Sequence, residues 1–324
     1  MKTILVSGAS GIIGYGVLQS LRQAKEQYRL IGTTVYSDSV APAFCDIFER
    51  APLTVSPQYI DWLCGVIQKH HVDMIIPCID VDMYTWNEHR ERLAKTGANV
   101  LLNNPDLIEL CGDKWEFYKK MRTIGSPYLI ESRTTGTFAE LQGAFGLPFL
   151  MKPKRGFGSK GIVMVDSAET FAAHEQDFGS VLMAQPIVGN DETEYTVSAF
   201  FDRDSSLRCF MSLRRKLAKE GFTEKATVAS LPGVERAIQE MAAALKPVGP
   251  TNFQFRLHDG ELKLLEINPR ISSATSIRTA FGYNESVMAV DYFLNGKTPS
   301  QPKVRNGYAV RYTEDKIFYD SDTL

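Results

Sequence analysis

The chain has 324 residues, 44% hydrophobic and 23% charged, with a formal net charge of −2. That length gives ample core for about two domains, and the near-neutral balance with no long basic block excludes nucleic acid and an anionic membrane surface as partners. No run approaches membrane-spanning length, and Ile4-Leu5-Val6 falls far short of a signal-peptide core; the five cysteines, odd in number and without CxxC or zinc spacing, predict reduced thiols of a cytoplasmic protein.

Residues 1–111 alternate between strand and helix patterns. Strands are predicted at Ile4–Val6, Leu30–Val35, Met74–Pro77 and Val100–Leu102, and helices at Ile12–Leu21, Ile60–His70 and about 83–94. This is the pattern of an open parallel α/β layer. Its first turn, Gly8-Ala9-Ser10-Gly11-Ile12-Ile13-Gly14, could seat phosphate on a helix N-terminus. The spacing is GxxGxxG, however, and no acidic residue closes the second strand, so glycines demanded by close helix–strand packing are the favoured reading. Asp80 and Asp82 follow the third strand, where open α/β sheets bind ligands, and are candidates for contact with a second substrate; Ser272, Ser273 and Arg278, further along the chain, could bind a carboxylate.

A new helix begins in GDKWEFYKKMR at 112–122, with Asp113 as its cap and Lys114 in its first turn. A lysine there opposes the helix dipole, so it is either solvated or held to meet an anion. A small α+β unit follows: a helix around 137–145, strands at 148–152 and 162–165, a helix through Phe178, and a strand at 181–185. Its loop, LMKPKRGFGSKGI at 150–162, joins two strands and is no Walker motif. Gly156, Gly158 and Gly161 let backbone N–H groups approach phosphates, Ser159 adds a hydroxyl, and Lys152 adds a charge.

From Glu192 a larger antiparallel sheet is expected. Arg214, Arg215 and Lys216 follow a strand at Cys209–Leu213, and any one of them could face a phosphate. Val234–Leu245 is an amphipathic helix, Tyr283–Leu294 a further one, and the residues from about 298 look peripheral. Between these helices lies TNFQFRLHDGELKLLEINPR, 251–270, which reads as a β-hairpin. Gln254, Glu266 and Asn268 are oxygen donors at strand spacing, followed by Pro269 and Arg270, a set suited to a hard cation carrying phosphates. A two-residue Asp259-Gly260 turn would throw Glu266 to the far face. A three-residue loop, His258-Asp259-Gly260, pairs Asn252 with Glu266 and gathers the donors, and is the expectation.

GDK near 113, LMKPKRGFGSKGI at 150–162, QPIVGNDETEYTV at 185–197 and NFQFRLHDGELKLLEINPR at 252–270 together resemble the ATP-grasp enzymes, most closely the ATP-binding halves of carbamoyl-phosphate synthetase large subunits. The resemblance covers about residues 1–297. It implies a mixed α/β and α+β architecture: a Rossmann-like parallel-sheet domain at 1–111, a linker helix and lid at 112–187, and an antiparallel-sheet domain with the metal site at 188–324. It implies that Lys114 and Lys152 hold the phosphates of ATP under the loop 154–161, which closes as a lid. Gln185 and Ile187 would line the adenine pocket, the latter through its backbone, and Glu194 would take the ribose. Magnesium, with manganese as substitute, would sit on Gln254, Glu266 and Asn268, with Asn252 alongside and Arg270 reaching the transferred phosphoryl. Two extra residues between Gly189 and Glu194 make Glu192 a rival for the ribose.

The implied activity is ADP-forming ligation of a small carboxylate to an amine, or to a thiol, through an acyl phosphate. Only one ATP-binding copy is present, which argues against carbamoyl phosphate synthesis itself. The alternatives are a nicotinamide-dependent oxidoreductase using Gly8–Gly14 and a non-catalytic ATP-binding protein. A homodimer is the default assembly.

Overall fold

Short apolar runs between glycine-rich turns make the first sheet. The computed structural model describes residues 1–156 and 160–319. Strand β1 (Lys2–Val6) enters the glycine turn and α1 (Ile12–Arg22) leaves it; β2 (Tyr28–Thr34), β3 (Ile47–Arg50), α2 (Tyr59–His70), β4 (Met74–Ile76), α3 (Asp80–Glu88), α4 (Arg90–Ala94) and β5 (Asn99–Val100) follow. The five strands are parallel in the order β3-β2-β1-β4-β5. Strand β3 was not legible, because its half-exposed residues show no alternation. The helix expected over 83–94 starts earlier and breaks at His89, so Asp80 and Asp82 lie in the first turn of α3 rather than in a loop.

The glycine turn is built for proximity. A Cβ on Gly14 would lie 2.2 Å from the Gly8 carbonyl oxygen, and Gly8 itself has φ +59°. Those contacts press α1 against the end of β1 and account for the glycines by packing.

Helices α5 (Pro105–Cys111) and α6 (Lys114–Thr123) lead out of this layer, and Leu107 and Met121 bury themselves in the core of the third sheet. Asp113 caps α6, its Oδ1 accepting from Trp115 N and Glu116 N. Next come α7 (Phe138–Phe145), β6 (Phe149–Pro153), β7 (Val163–Val165), α8 (Ala168–Ala172) and β8 (Leu182–Pro186). Their antiparallel sheet, β7-β6-β8, has its own core of Phe149, Met151, Phe171 and Leu182.

The last sheet holds β9 (Glu194–Phe201), β10 (Leu207–Leu217), β11 (Thr223–Val228), β12 (Gly249–His258) and β13 (Glu261–Asn268), with α9 (Val234–Leu245) between β11 and β12. Helices α10 (Thr275–Ala280) and α11 (Glu285–Asn295) precede the final strand, β14 (Tyr308–Val310). The order is β13-β12-β9-β10-β11-β14. One face takes the apolar stripe of α9; the other packs through Phe200, Met211 and Leu213 into a core shared with α1, α11 and the parallel sheet. Two expectations are corrected. Strand β10 runs on through Arg214–Lys216, and the segment beyond 298 contributes β14 to the sheet instead of lying apart from it. Among the described residues no helix is long and apolar enough to cross a membrane.

Candidate active site

The β12–β13 hairpin brings Gln254, Glu266 and Asn268 together, but not by the expected loop. His258 pairs with Glu261, so the turn is the two-residue Asp259-Gly260, both at positive φ. A bulge then shifts the register between Gln254 and Phe255: Phe255 faces Leu264, Gln254 faces Glu266, and Asn252 faces Asn268. The extra residue, Leu265, makes up the step that the longer loop was expected to supply. The pairing of Asn252 with Glu266 is therefore corrected, while the donors still share one face.

These residues open onto a cleft of about 540 Å³ walled by the second and third sheets and by α1 and α3 of the first layer. Asn268 Nδ2 donates to Glu266 Oε1 at 3.0 Å, and the Asn268 side-chain Oδ1 has no hydrogen-bond partner among the described residues. Gln254 Oε1 accepts from Arg215 Nη2 at 2.6 Å. One carboxylate and two amide oxygens form the all-oxygen set a hard dication takes, with few fixed ligands and room for water and phosphate oxygens. Glu266 and Asn268 fit magnesium as they stand; Gln254 must share its oxygen with, or surrender it from, Arg215.

Lys152 enters the same cleft from β6. Its Nζ donates to Gln185 Oε1 at 2.6 Å, and Gln185 Nε2 donates to Ser132 Oγ at 2.9 Å. Burial and then the neighbouring Lys114 push the Lys152 ammonium down to about 8, against the opposing pull of Glu266. Lys114 lies at the start of α6, its backbone N–H on Lys154 O and its Nζ on Gly156 O at 2.7 Å. It is tied to the root of the glycine loop, where Gly156 and Gly161 have positive φ. Gly158 and Ser159 lie outside the described residues.

Glu194 lines the cleft at the start of β9 and is only 4% exposed. Arg215 engages its Oε1 and Arg256 its Oε2, the closest contacts being 3.0 and 2.8 Å. Glu192 sits in an exposed turn. Strand alternation likewise separates the basic triplet: Arg214 and Lys216 are exposed, whereas Arg215 is buried against Glu194 and Gln254.

Three expected residues stand elsewhere. Ile187 is half-buried just beyond β8 and is not among the cleft-lining residues. Asn252 is fully buried below the cleft, its Oδ1 accepting from Thr196 Oγ1 at 2.7 Å and Arg278 Nη2 at 2.8 Å. Arg278, a candidate for a substrate carboxylate, is fully buried and ion-paired with Glu285 at 2.8 Å. Arg270 is bound to Asp80 by two hydrogen bonds, from Nε at 2.6 Å and Nη2 at 3.0 Å. That pair and the role of Arg256 were missed. Arg256 had a signal, since it shares a strand face with Gln254; the partner of Arg270 had none.

Residues 181–316 match the family described as "ATP-grasp in the biosynthetic pathway with Ter operon", and residues 6–101 match "PylC-like, N-terminal domain". Among curated proteins, the arginine-specific carbamoyl phosphate synthase large chain of Halalkalibacterium halodurans is 25% identical over 272 residues, 79% of this chain and 25% of the relative. The carbamoyl phosphate synthase large chain of Campylobacter jejuni is 23% identical over 292 residues, 84% of this chain and 26% of the relative. The chain thus spans about a quarter of the length of these relatives. Among solved structures, N5-carboxyaminoimidazole synthetase from Staphylococcus aureus, complexed with ADP, aligns with TM-score 0.74 at 14% identity, covering 94% of this chain and 80% of that one. The biotin carboxylase domain of 2-oxoglutarate carboxylase from Hydrogenobacter thermophilus, in complex with MgADP, aligns with TM-score 0.70 at 16% identity, covering 95% and 73%.

Proposed function

Because the chain carries an ATP-grasp domain behind a PylC-like N-terminal domain, we propose that it is an ATP-dependent ligase. It joins a small carboxylate to an amine through an acyl phosphate and releases ADP and phosphate. One observation carries the reading: Lys152 from the second sheet, Glu266 and Asn268 from the third, and Arg270 all line one cleft. We take 1–111, 112–187 and 188–324 as the working division of labour: acid-binding layer, nucleotide cover and metal-bearing sheet.

In this reading Lys152 and Lys114 bind phosphate oxygens, Gln185 lines the adenine end, and Glu194, preset by Arg215 and Arg256, faces the ribose. Glu266 and Asn268 hold magnesium, with Gln254 as third donor; when bound, the ion neutralises phosphate charge and fixes its geometry. A carboxylate oxygen of the substrate attacks the γ-phosphorus as the bond to ADP breaks. The amine nitrogen then attacks the acyl carbon, phosphate leaves, and the nitrogen loses a proton. Arg270 and Lys152 stabilise the charge that develops in the first step, so positioning and electrostatics supply most of the acceleration.

The test is ADP release from MgATP in the presence of small acids and amines, with AMP measured alongside. Lys152→Ala and Glu266→Gln are each expected to lose roughly a hundredfold in turnover, about 3 kcal/mol of barrier, with circular dichroism unchanged. Near-wild-type ADP release by either variant, or AMP as product, would sink the proposal.

A further inference from the structure

The end of the cleft at Arg270 has a chemistry of its own. Asp80 and Arg270 meet there, and Met83 and Tyr84 stand on the next turn of α3. Burial, and then the nearby Asp80 carboxylate, push the Tyr84 phenol up. Ile12 and Ile13 come from the start of α1, beside the turn where Gly8 abuts Ile79, the residue before Asp80. Phe222 comes from the opposite side, next to Thr223, whose backbone N–H donates to Ser273 Oγ at 3.4 Å. Ile12, Ile13, Tyr84 and Phe222 are half-buried and Met83 is buried, so α1 and α3 present an apolar wall and Phe222 faces it from the third sheet, where Glu220, Ser272 and Ser273 are its polar neighbours and add no positive charge.

Charge at this end is nearly matched. Of the other described cations lining the cleft, Lys114, Lys152 and Lys160 belong to the nucleotide side, and Arg215 and Arg256 are committed to Glu194. Arg270 alone is left, and Asp80 balances its charge. A guanidinium has five N–H groups; the Arg270 Nε and Nη2 each place one on Asp80, and Nη1 one on Ile271 O. Two remain, to meet the reacting carboxylate and the phosphoryl group it takes, with none left for a second charge on the acid.

Resting on the ligase reading, we infer that the acid activated here is a monocarboxylate with an apolar body, seated against Ile12, Ile13, Met83, Tyr84 and Phe222, with its carboxylate on Arg270. Bicarbonate would leave that wall wet. A dicarboxylate or a phosphorylated acid would bring a charge that nothing at this end meets. The binding gain from an apolar body follows from the area it removes from water.

The experiment uses the full chain with MgATP and hydroxylamine as a generic nucleophile. The hydroxylamine nitrogen attacks the acyl phosphate, releasing phosphate and a proton and leaving a hydroxamate. ADP release is measured with acetate, butanoate, hexanoate, phenylacetate, succinate and bicarbonate. The expected result is a kcat/KM that rises about twofold to fourfold per added methylene from acetate to hexanoate, with succinate and bicarbonate at least tenfold below hexanoate. Ile13→Ser and Phe222→Ser should each flatten that series while calorimetry still finds MgATP bound. A flat series in the wild type, a series that both variants leave unchanged, or a lead for succinate or bicarbonate overturns the inference and leaves the ligase reading standing. If MgATP binds and no acid raises ADP release, the ligase reading fails and this inference fails with it.

Discussion

Arg270 and Asp80, 190 residues apart in sequence, grip each other through Nε–Oδ1 at 2.6 Å and Nη2–Oδ2 at 3.0 Å. The pair joins the first turn of α3 to the loop after β13, so the arginine nearest the proposed acid is aimed by a helix of a different layer from the one that carries it. Their side chains are 11% and 16% exposed, dry enough for a broken pair to be felt. Asp80→Asn keeps the shape and removes the charge. It should lower stability in urea by about 3 kcal/mol, since a mostly buried guanidinium then lacks its counter-charge. ADP release should fall to the level of Arg270→Ala, with the double variant no worse. Additive losses in the double variant would show that Asp80 does not act through Arg270.

Lys152 predicts how nucleotide binding responds to pH. Its ammonium titrates near 8 in the free protein, and phosphate oxygens placed beside it favour the charged form. MgATP affinity should therefore fall about tenfold between pH 7 and pH 9. Calorimetry above pH 8 should find proton uptake on binding, and Lys152→Met should remove both effects. Stability has the opposite sign. The folded value lies below the ordinary 10.5 of lysine, so between about 8 and 10.5 the unfolded chain binds more protons and this site's contribution to stability rises with pH. Affinity that stays level from pH 7 to 9 would place Lys152 away from the phosphates.

Gly14 separates packing from cofactor binding. An added methyl at 2.2 Å from the Gly8 carbonyl oxygen cannot be absorbed by a flexible side chain. Gly14→Ala should cost roughly 3 kcal/mol by overpacking, read as a lower midpoint in thermal or urea unfolding. The wild type should show no saturable fluorescence change with NADH or NADPH. A micromolar dinucleotide site would restore the oxidoreductase reading.

Asn252 and Arg278 test what lies beneath the donors. Arg278 and Glu285 are 0% and 1% exposed, and Asn252 Oδ1 takes one of the Arg278 N–H groups. Glu285→Ala should destabilise by about 3–5 kcal/mol, because it strands a buried cation. Asn252→Ala should cost about 1–3 kcal/mol through the donors it leaves unmet, while MgATP affinity stays within about twofold, since its side chain is fully buried and does not line the cleft. A tenfold loss of nucleotide binding without loss of stability would return Asn252 to the site.

Much of the architecture is written locally. The apolar runs of β1, β2 and β4, the stripe of α9, the Asp113 cap and the Asp-Gly hairpin each depend on residues a few positions apart, and the chain's own periodicity declares them. The same holds for the basic glycine loop and for the alternation that puts Glu266 and Asn268 on one face. Strands β3, β11 and β14 declared nothing, because edge and half-exposed strands carry no clean alternation and form by pairing with neighbours distant in sequence.

By itself the sequence determined the order of the layers and the types of side chain available to hold phosphate and a cation. Only the tertiary structure decided which of those side chains meet. The Leu265 bulge, and not the length of the turn, set the face of Glu266. Strand alternation within a longer β10 chose Arg215 over its neighbours, and a carboxylate from α3 of the first layer took Arg270. The physical reason is that register and ion pairing are settled by contacts across tens to hundreds of residues, where one bulge or one buried charge outweighs local preference.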